Sequence, residues 1–173
     1  MKKALTILAL TGSVAVAQGV GDPQPVKGGF VHEIEVTALV KQFSTDRSPG
    51  IVYRGTKLEK VFSKDRFKAG AGWNVTAGIM EVSGYGHGFV GGGVSGLAEY
   101  SVLTLKLDAQ ALVLNSVNDY GRRETALQPA FTASLYVPAG RGNLGISATY
   151  MPEGMNELVK RRPIWIFGGS FAF

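Results

Sequence analysis

Trp165-Ile166-Phe167-Gly168-Gly169-Ser170-Phe171-Ala172-Phe173 closes the chain on an aromatic row. Counted back from Phe173, the residues Phe171, Phe167 and Trp165 share its parity, and Gly169 is the one member of that row without a ring. A strand repeats its side-chain direction every two residues, so the four rings stand on one face. With Phe173 last, no later residue turns back over them. Such an uncovered face is expected of a strand whose outer side meets lipid, and rarely of one facing water.

The same period of two runs back through the chain. It is clearest over 66–80, where Phe67, Ala69, Ala71, Trp73, Val75, Ala77 and Ile79 oppose Arg66, Lys68, Gly70, Gly72, Asn74, Thr76 and Gly78. Over 31–43, Ile34, Val36, Ala38 and Val40 oppose Glu33, Glu35, Thr37 and Lys41, with Leu39 out of pattern. Over 101–114, Leu103, Leu105, Leu107, Ala109, Ala111 and Val113 oppose Thr104, Lys106, Asp108 and Gln110. Segments 87–97, 124–137, 143–151 and 164–173 alternate as well, whereas 51–62 alternates poorly. Pro129, inside 124–137, has no amide for a ladder and predicts a bulge there or a strand in two pieces.

These segments predict eight strands of a length suited to tilted membrane strands. The connectors Ser63-Lys64-Asp65, Ala98-Glu99-Tyr100 and Pro138-Ala139-Gly140-Arg141-Gly142 are short, and 44–50, 115–123 and 152–163 are longer. Alternating short turns and long loops is the pattern of a barrel with two different ends, although 81–86 is shorter than that scheme expects. The fold class read from the residues is all-β: a single antiparallel up-and-down β-barrel of about eight strands, spanning a membrane. Backbone groups in lipid must pair within the protein, so the sheet has to close, with an apolar outside and a polar inside. Glu33, Glu35, Lys41, Arg66, Lys68, Lys106, Asp108 and Glu124 are then the candidate interior charges. They carry both signs, as a salt-bridge network in a narrow barrel would.

Composition sets the frame. The chain has 173 residues, enough for one domain, with 45% hydrophobic and 18% charged residues, 24 glycines and no cysteine. The lack of cysteine removes disulfides, thiolate nucleophiles and Cys-ligated metals. Lys2-Lys3 followed by the apolar run Ala4–Val16 and the small-x-small triplet Ala15-Val16-Ala17 reads as a cleaved secretory signal. Residues 1–17 are therefore expected to be a signal peptide, 18–29 a Gly- and Pro-rich lead-in, and 30–173 the barrel domain. Removal of Lys2 and Lys3 from a net charge of +5 leaves +3. The basic residues that remain form no stripe with interleaved aromatics, so nucleic acid is not an expected partner.

The signal, the eight alternating segments and the terminal row Trp165, Phe167, Phe171 and Phe173 together resemble the small bacterial outer-membrane β-barrels. Gly169 stands where that family usually has a large residue. The resemblance implies an outer-membrane location and a C-terminal strand, ending in Phe173, that is read as an assembly signal by the barrel-assembly machinery.

Candidate chemistry is sparse. His87 lies among Gly84, Tyr85, Gly86, Gly88 and Phe89 without a second ligand pattern, and Ser83, Ser95 and His32 complete no Ser-His-acid motif. Gly86-His87-Gly88-Phe89-Val90-Gly91 lacks the strand–turn–helix setting of a phosphate loop. Gly91-Gly92-Gly93 suits bending of a barrel wall. No cofactor or metal is expected. In the connector 152–163, Lys160, Arg161 and Arg162 are candidate contacts for lipopolysaccharide or another anionic surface polymer, alongside the lipids of the outer membrane. The reading that follows is a non-enzymatic outer-membrane barrel with a structural or loop-borne interaction role. Three rivals stand beside it: a narrow passive channel, a lipid-active membrane enzyme built on His87, and a secreted soluble barrel that binds a ligand.

Overall fold

A computed structural model describes residues 12–13, 30–41, 47–82, 85–117, 120–152 and 163–173. Eight strands form the wall: β1 Phe30–Lys41, β2 Arg47–Lys64, β3 Phe67–Val82, β4 Tyr85–Tyr100, β5 Leu103–Val117, β6 Arg123–Ala139, β7 Gly142–Met151 and β8 Ile164–Ala172. Each pairs antiparallel with the next, and β8 pairs with β1 from Glu33↔Ala172 to Lys41↔Ile164, which closes the barrel. Gly12–Ser13 is a two-residue strand beside Glu33–Ile34. No helix among the described residues is long and apolar enough to cross a membrane.

The two ends differ. At the turn end, two-residue turns at 65–66, 101–102 and 140–141 join the strands, with positive φ at Asp65, Ser101 and Gly140. Phe173 reaches the same end and exchanges two backbone bonds with His32, of 2.9 and 2.6 Å. The loop end holds the remaining connectors. The second turn falls three residues later than the sequence suggested, because β4 runs on through Ala98, Glu99 and Tyr100. The connector expected at 81–86 shrinks to 83–84.

The segment that alternates poorly is the longest strand, at 18 residues. Its register with β3 slips between Leu58 and Lys60. A bulge inserts one residue and flips the faces beyond it, so a strict period of two cannot run through it. Pro129, by contrast, causes neither a bulge nor a break. It stands opposite Ala111 in an unshifted ladder with β5. On its other side the described β6–β7 ladder ends at Phe131↔Tyr150, so no described ladder pair there calls on an amide at Pro129.

The glycines of β4 let the wall curve. A Cβ on Gly91 would strike the carbonyl oxygen of Ala111, and one on Gly93 that of Ala109, both on the neighbouring backbone of β5. Ala109, Gln110, Ala111 and Leu112 of β5 therefore approach closely only because these side chains are absent.

Candidate functional site

The outward face is apolar around the whole wall. Leu127 is 71% exposed, Ile146 67% and Ile79 65%, with Val94, Leu107, Phe131, Trp165 and Phe167 also outward. Rings gather at both rims of this belt. At the loop end Tyr150 lies 4.8 Å from Trp165, which stacks on Phe167 at 6.1 Å. At the turn end Phe30 meets His32 at 5.0 Å and Trp73 at 5.8 Å, and the Phe173 ring lies 5.3 Å from His32. The Trp73 indole donates to Glu59 at 3.1 Å, and His32 Nδ1 shares a hydrogen bond of 2.8 Å with the Tyr53 hydroxyl. Amphipathic rings with a polar tip suit the boundary between hydrocarbon and water.

The inward face has two layers. Toward the turn end and the middle lies an ionic and hydrogen-bonded network built from six strands. Arg54 of β2 is its hub and is 2% exposed. Its guanidinium donates to Glu33 at 3.1 Å, to Glu35, and to the Thr149 hydroxyl at 3.2 Å. Lys106 of β5 bridges Glu33 at 2.8 Å and Asp108 at 3.3 Å. Asp108 accepts from the Ser95 hydroxyl at 2.5 Å, and Asn74 donates to Ser95 at 2.8 Å. Glu35 leans over Gly168 of β8, where a Cβ would lie 2.7 Å from its carboxyl carbon. Gly168 thus leaves room for a carboxylate in the terminal strand.

Toward the loop end the lumen turns apolar. Val52, Met80, Phe89, Leu112, Leu114, Ala130, Met151, Ile164 and Ile166 pack there as one buried cluster. Between the two layers a cavity of about 10 Å³ remains, lined by Arg54, Thr76, Gln110 and Thr149 among others. That volume is about the minimum for one water molecule, far below a continuous file of solvent.

The candidate interior charges separate by position. Glu33, Glu35, Lys106 and Asp108 are buried in the network. Glu124 is half-buried, with inward parity near the loop end. Arg66 and Lys68 do not enter the lumen. Arg66 sits exposed in the turn 65–66, and Lys68 pairs with Glu99 at 3.1 Å with 48% of its side chain exposed. They extend the inward parity of β3, but that parity runs out beyond the closed part of the wall. The side chain of Lys41 and residues Lys160, Arg161 and Arg162 lie outside the described residues. Arg54 escaped the sequence reading because its neighbour in parity, Val52, belongs to the apolar layer and blurs the alternation of β2. The sign was a lone arginine sharing parity with Thr56 between outward Tyr53 and Gly55.

His87 points inward at the loop end and is 5% exposed. Ser95, its possible nucleophile, lies eight residues along the same strand, about 26 Å away at ~3.3 Å per residue, and is bonded to Asp108. Ser83 lies outside the described residues. Among the described residues no cluster of His, Cys, Asp or Glu could hold a metal.

A closed eight-stranded barrel with a lipid-facing belt, two aromatic rims and an ionic core is a small transmembrane β-barrel. No protein-family model matches the chain, and no curated protein does. Among solved structures it is similar to that of Ail, the attachment invasion locus protein of Yersinia pestis, in complex with the heparin analogue sucrose octasulfate. The identity is 13%, over 84% of this chain and 97% of that one, with a TM-score of 0.40.

Proposed function

We propose that the protein is a non-enzymatic barrel of the bacterial outer membrane that anchors its loop-end connectors at the cell surface. The observation that carries this reading is a lumen closed twice, by ions and by an apolar plug, beneath a wall that only lipid would cover. Such a barrel is built to be held in a membrane, not to pass solute. Lys160, Arg161 and Arg162 are the connector residues proposed to meet an anionic surface polymer such as lipopolysaccharide.

The rivals make different demands. A passive channel needs a water path, and the cavity between the two buried layers has room for about one water molecule. Purified protein in a planar bilayer is expected to give no conductance steps over repeated insertions; a reproducible unitary step would restore the channel reading. A lipid-active enzyme needs a nucleophile beside its base, whereas His87 and Ser95 stand eight residues apart along β4. A soluble ligand-binding barrel needs an internal cavity and a wettable outside, and the inward packing and outward belt argue against both.

The location is tested by fractionation with heat-modifiable gel mobility. The folded protein is expected to sediment with the outer membrane and to shift on boiling; aqueous recovery of unshifted protein would sink the proposal. Deletion of Phe173 removes its two backbone bonds to His32, worth about 1–3 kcal/mol together at ~0.5–1.5 each. If Phe173 is also an assembly signal, the deletion lowers the folded fraction in cells far more than refolding of purified protein into vesicles. Equal losses in the two settings would leave it a purely structural residue.

A further inference from the structure

Where the ionic layer meets the apolar plug, three polar groups have no hydrogen-bond partner among the described residues. Arg54 gives its two terminal nitrogens to Glu33, Glu35 and Thr149, but its Nε meets no acceptor. Thr76 Oγ1 and Gln110 Nε2 are likewise unpartnered. All three residues are 2–6% exposed, and all three line the cavity of about 10 Å³ between the layers. The register explains why they gather there. Arg54 stands opposite Thr76, Thr76 opposite Gly91, and Gly91 opposite Leu112. Gln110 stands opposite Gly93. Gly91 and Gly93 share the inward parity of buried Phe89 and Ser95. At these two rungs β4 therefore puts no side chain into the lumen, and a hollow remains between Thr76 on β3 and Gln110 on β5.

We propose that this cavity binds a single water molecule, which accepts hydrogen bonds from Arg54 Nε and Gln110 Nε2 and donates one to Thr76 Oγ1. The chemistry of the lining selects the occupant. Arg54 Nε and Gln110 Nε2 only donate, so a cation finds no ligand in them. The surrounding network already sets the carboxylates of Glu33, Glu35 and Asp108 against the cations of Arg54 and Lys106. An anion would add to that excess of buried negative charge. What fits is a neutral molecule that accepts as well as donates. The volume is that of one water, and a buried water typically makes about three hydrogen bonds. Bound there, it satisfies the last nitrogen of the Arg54 guanidinium and ties the ionic layer to β3 and β5 beneath the plug. The site belongs to the interior of the barrel and is independent of what the connectors meet at the surface.

The first test is a crystal structure of the full-length protein grown with bromide in the buffer. One density peak is expected, within about 2.7–3.2 Å of all three atoms and without the anomalous signal of bromide. Bromide in the cavity, no peak at all, or a continuous file of peaks overturns the single-water site, and the last of these also restores the channel reading. The second test is a double-mutant cycle read as the urea midpoint of the heat-modifiable band in vesicles. Thr76→Val and Gln110→Met each remove one partner of the water at nearly constant shape, and each is expected to lower the midpoint. The two residues stand two strands apart, about 10 Å, a separation at which losses add unless a partner is shared. The double variant is therefore expected to lose less than the sum of the single losses. Thr76→Ser keeps the hydroxyl, so its loss is expected to add to that of Gln110→Met. Additive losses for the valine pair, or losses below the sum for the serine pair as well, overturn the bridge.

Discussion

Replacing Arg54 by methionine is expected to destabilise the barrel by about 3–5 kcal/mol, the cost of leaving buried charges without their partner. Arg54 holds Glu33, Glu35 and the Thr149 hydroxyl, and both carboxylates are 0–1% exposed. The network as it stands contains the carboxylates of Glu33, Glu35 and Asp108 against the cations of Arg54 and Lys106. Loss of Arg54 leaves Lys106 alone against three buried acids. Adding Glu35→Gln to the Arg54→Met variant returns the charge balance to its original value and is expected to recover more than half of the loss. The measurement is the urea midpoint of the heat-modifiable band for protein in vesicles, taken as a double-mutant cycle. Equal midpoints for Arg54→Met and the unaltered barrel would show that the ionic layer contributes nothing to stability.

Alanine at Gly91 or Gly93 is expected to cost about 1–3 kcal/mol per site, the range for forcing extra volume into a packed structure. The obstacle is the β5 backbone: Cα of Leu112 would lie 2.8 Å from the new Cβ at Gly91, and Cα of Gln110 2.8 Å from that at Gly93. A neighbouring strand cannot shift without loosening its ladder on both sides. Valine should be worse than alanine, and the two sites together should reduce the folded fraction visibly on an unboiled gel. Gly96 on the same strand serves as control, because a Cβ there meets nothing within 4 Å. Gly96→Ala is expected to be neutral or to stabilise by up to about 1 kcal/mol through the unfolded chain. If Gly93→Ala and Gly96→Ala behave alike, the close approach of β4 to β5 is not what the glycines are for.

Much of this was legible in the chain because a strand's period of two is a local property. Glu33, Glu35, Lys106 and Asp108 announced the inward face, and Trp165 and Phe167 the outward one, from parity alone. Legibility failed where a face changed character along a strand. Lys106, Asp108 and Gln110 continue in parity into Leu112 and Leu114, which lie in the apolar plug. Polar residues therefore do not mark the whole lumen, and Val52 beside Arg54 hid the hub of the network for the same reason. The bulge at Leu58–Lys60 added a second obstacle, since an inserted residue inverts every later assignment on β2.

Alternation and the terminal ring row pointed, from the sequence by itself, to about eight strands with one apolar face, since both are read from neighbours in the chain. Only the tertiary structure decided which charges meet. Arg54 and Glu35 are 19 residues apart, Lys106 and Glu33 are 73 apart, and Arg54 and Thr149 are 95 apart. Their pairing depends on the closure of β8 onto β1 and on the register of every ladder between. It also decided that Arg66 and Lys68, of the right parity, remain outside, because parity gives a side chain's direction but not its depth along the barrel axis.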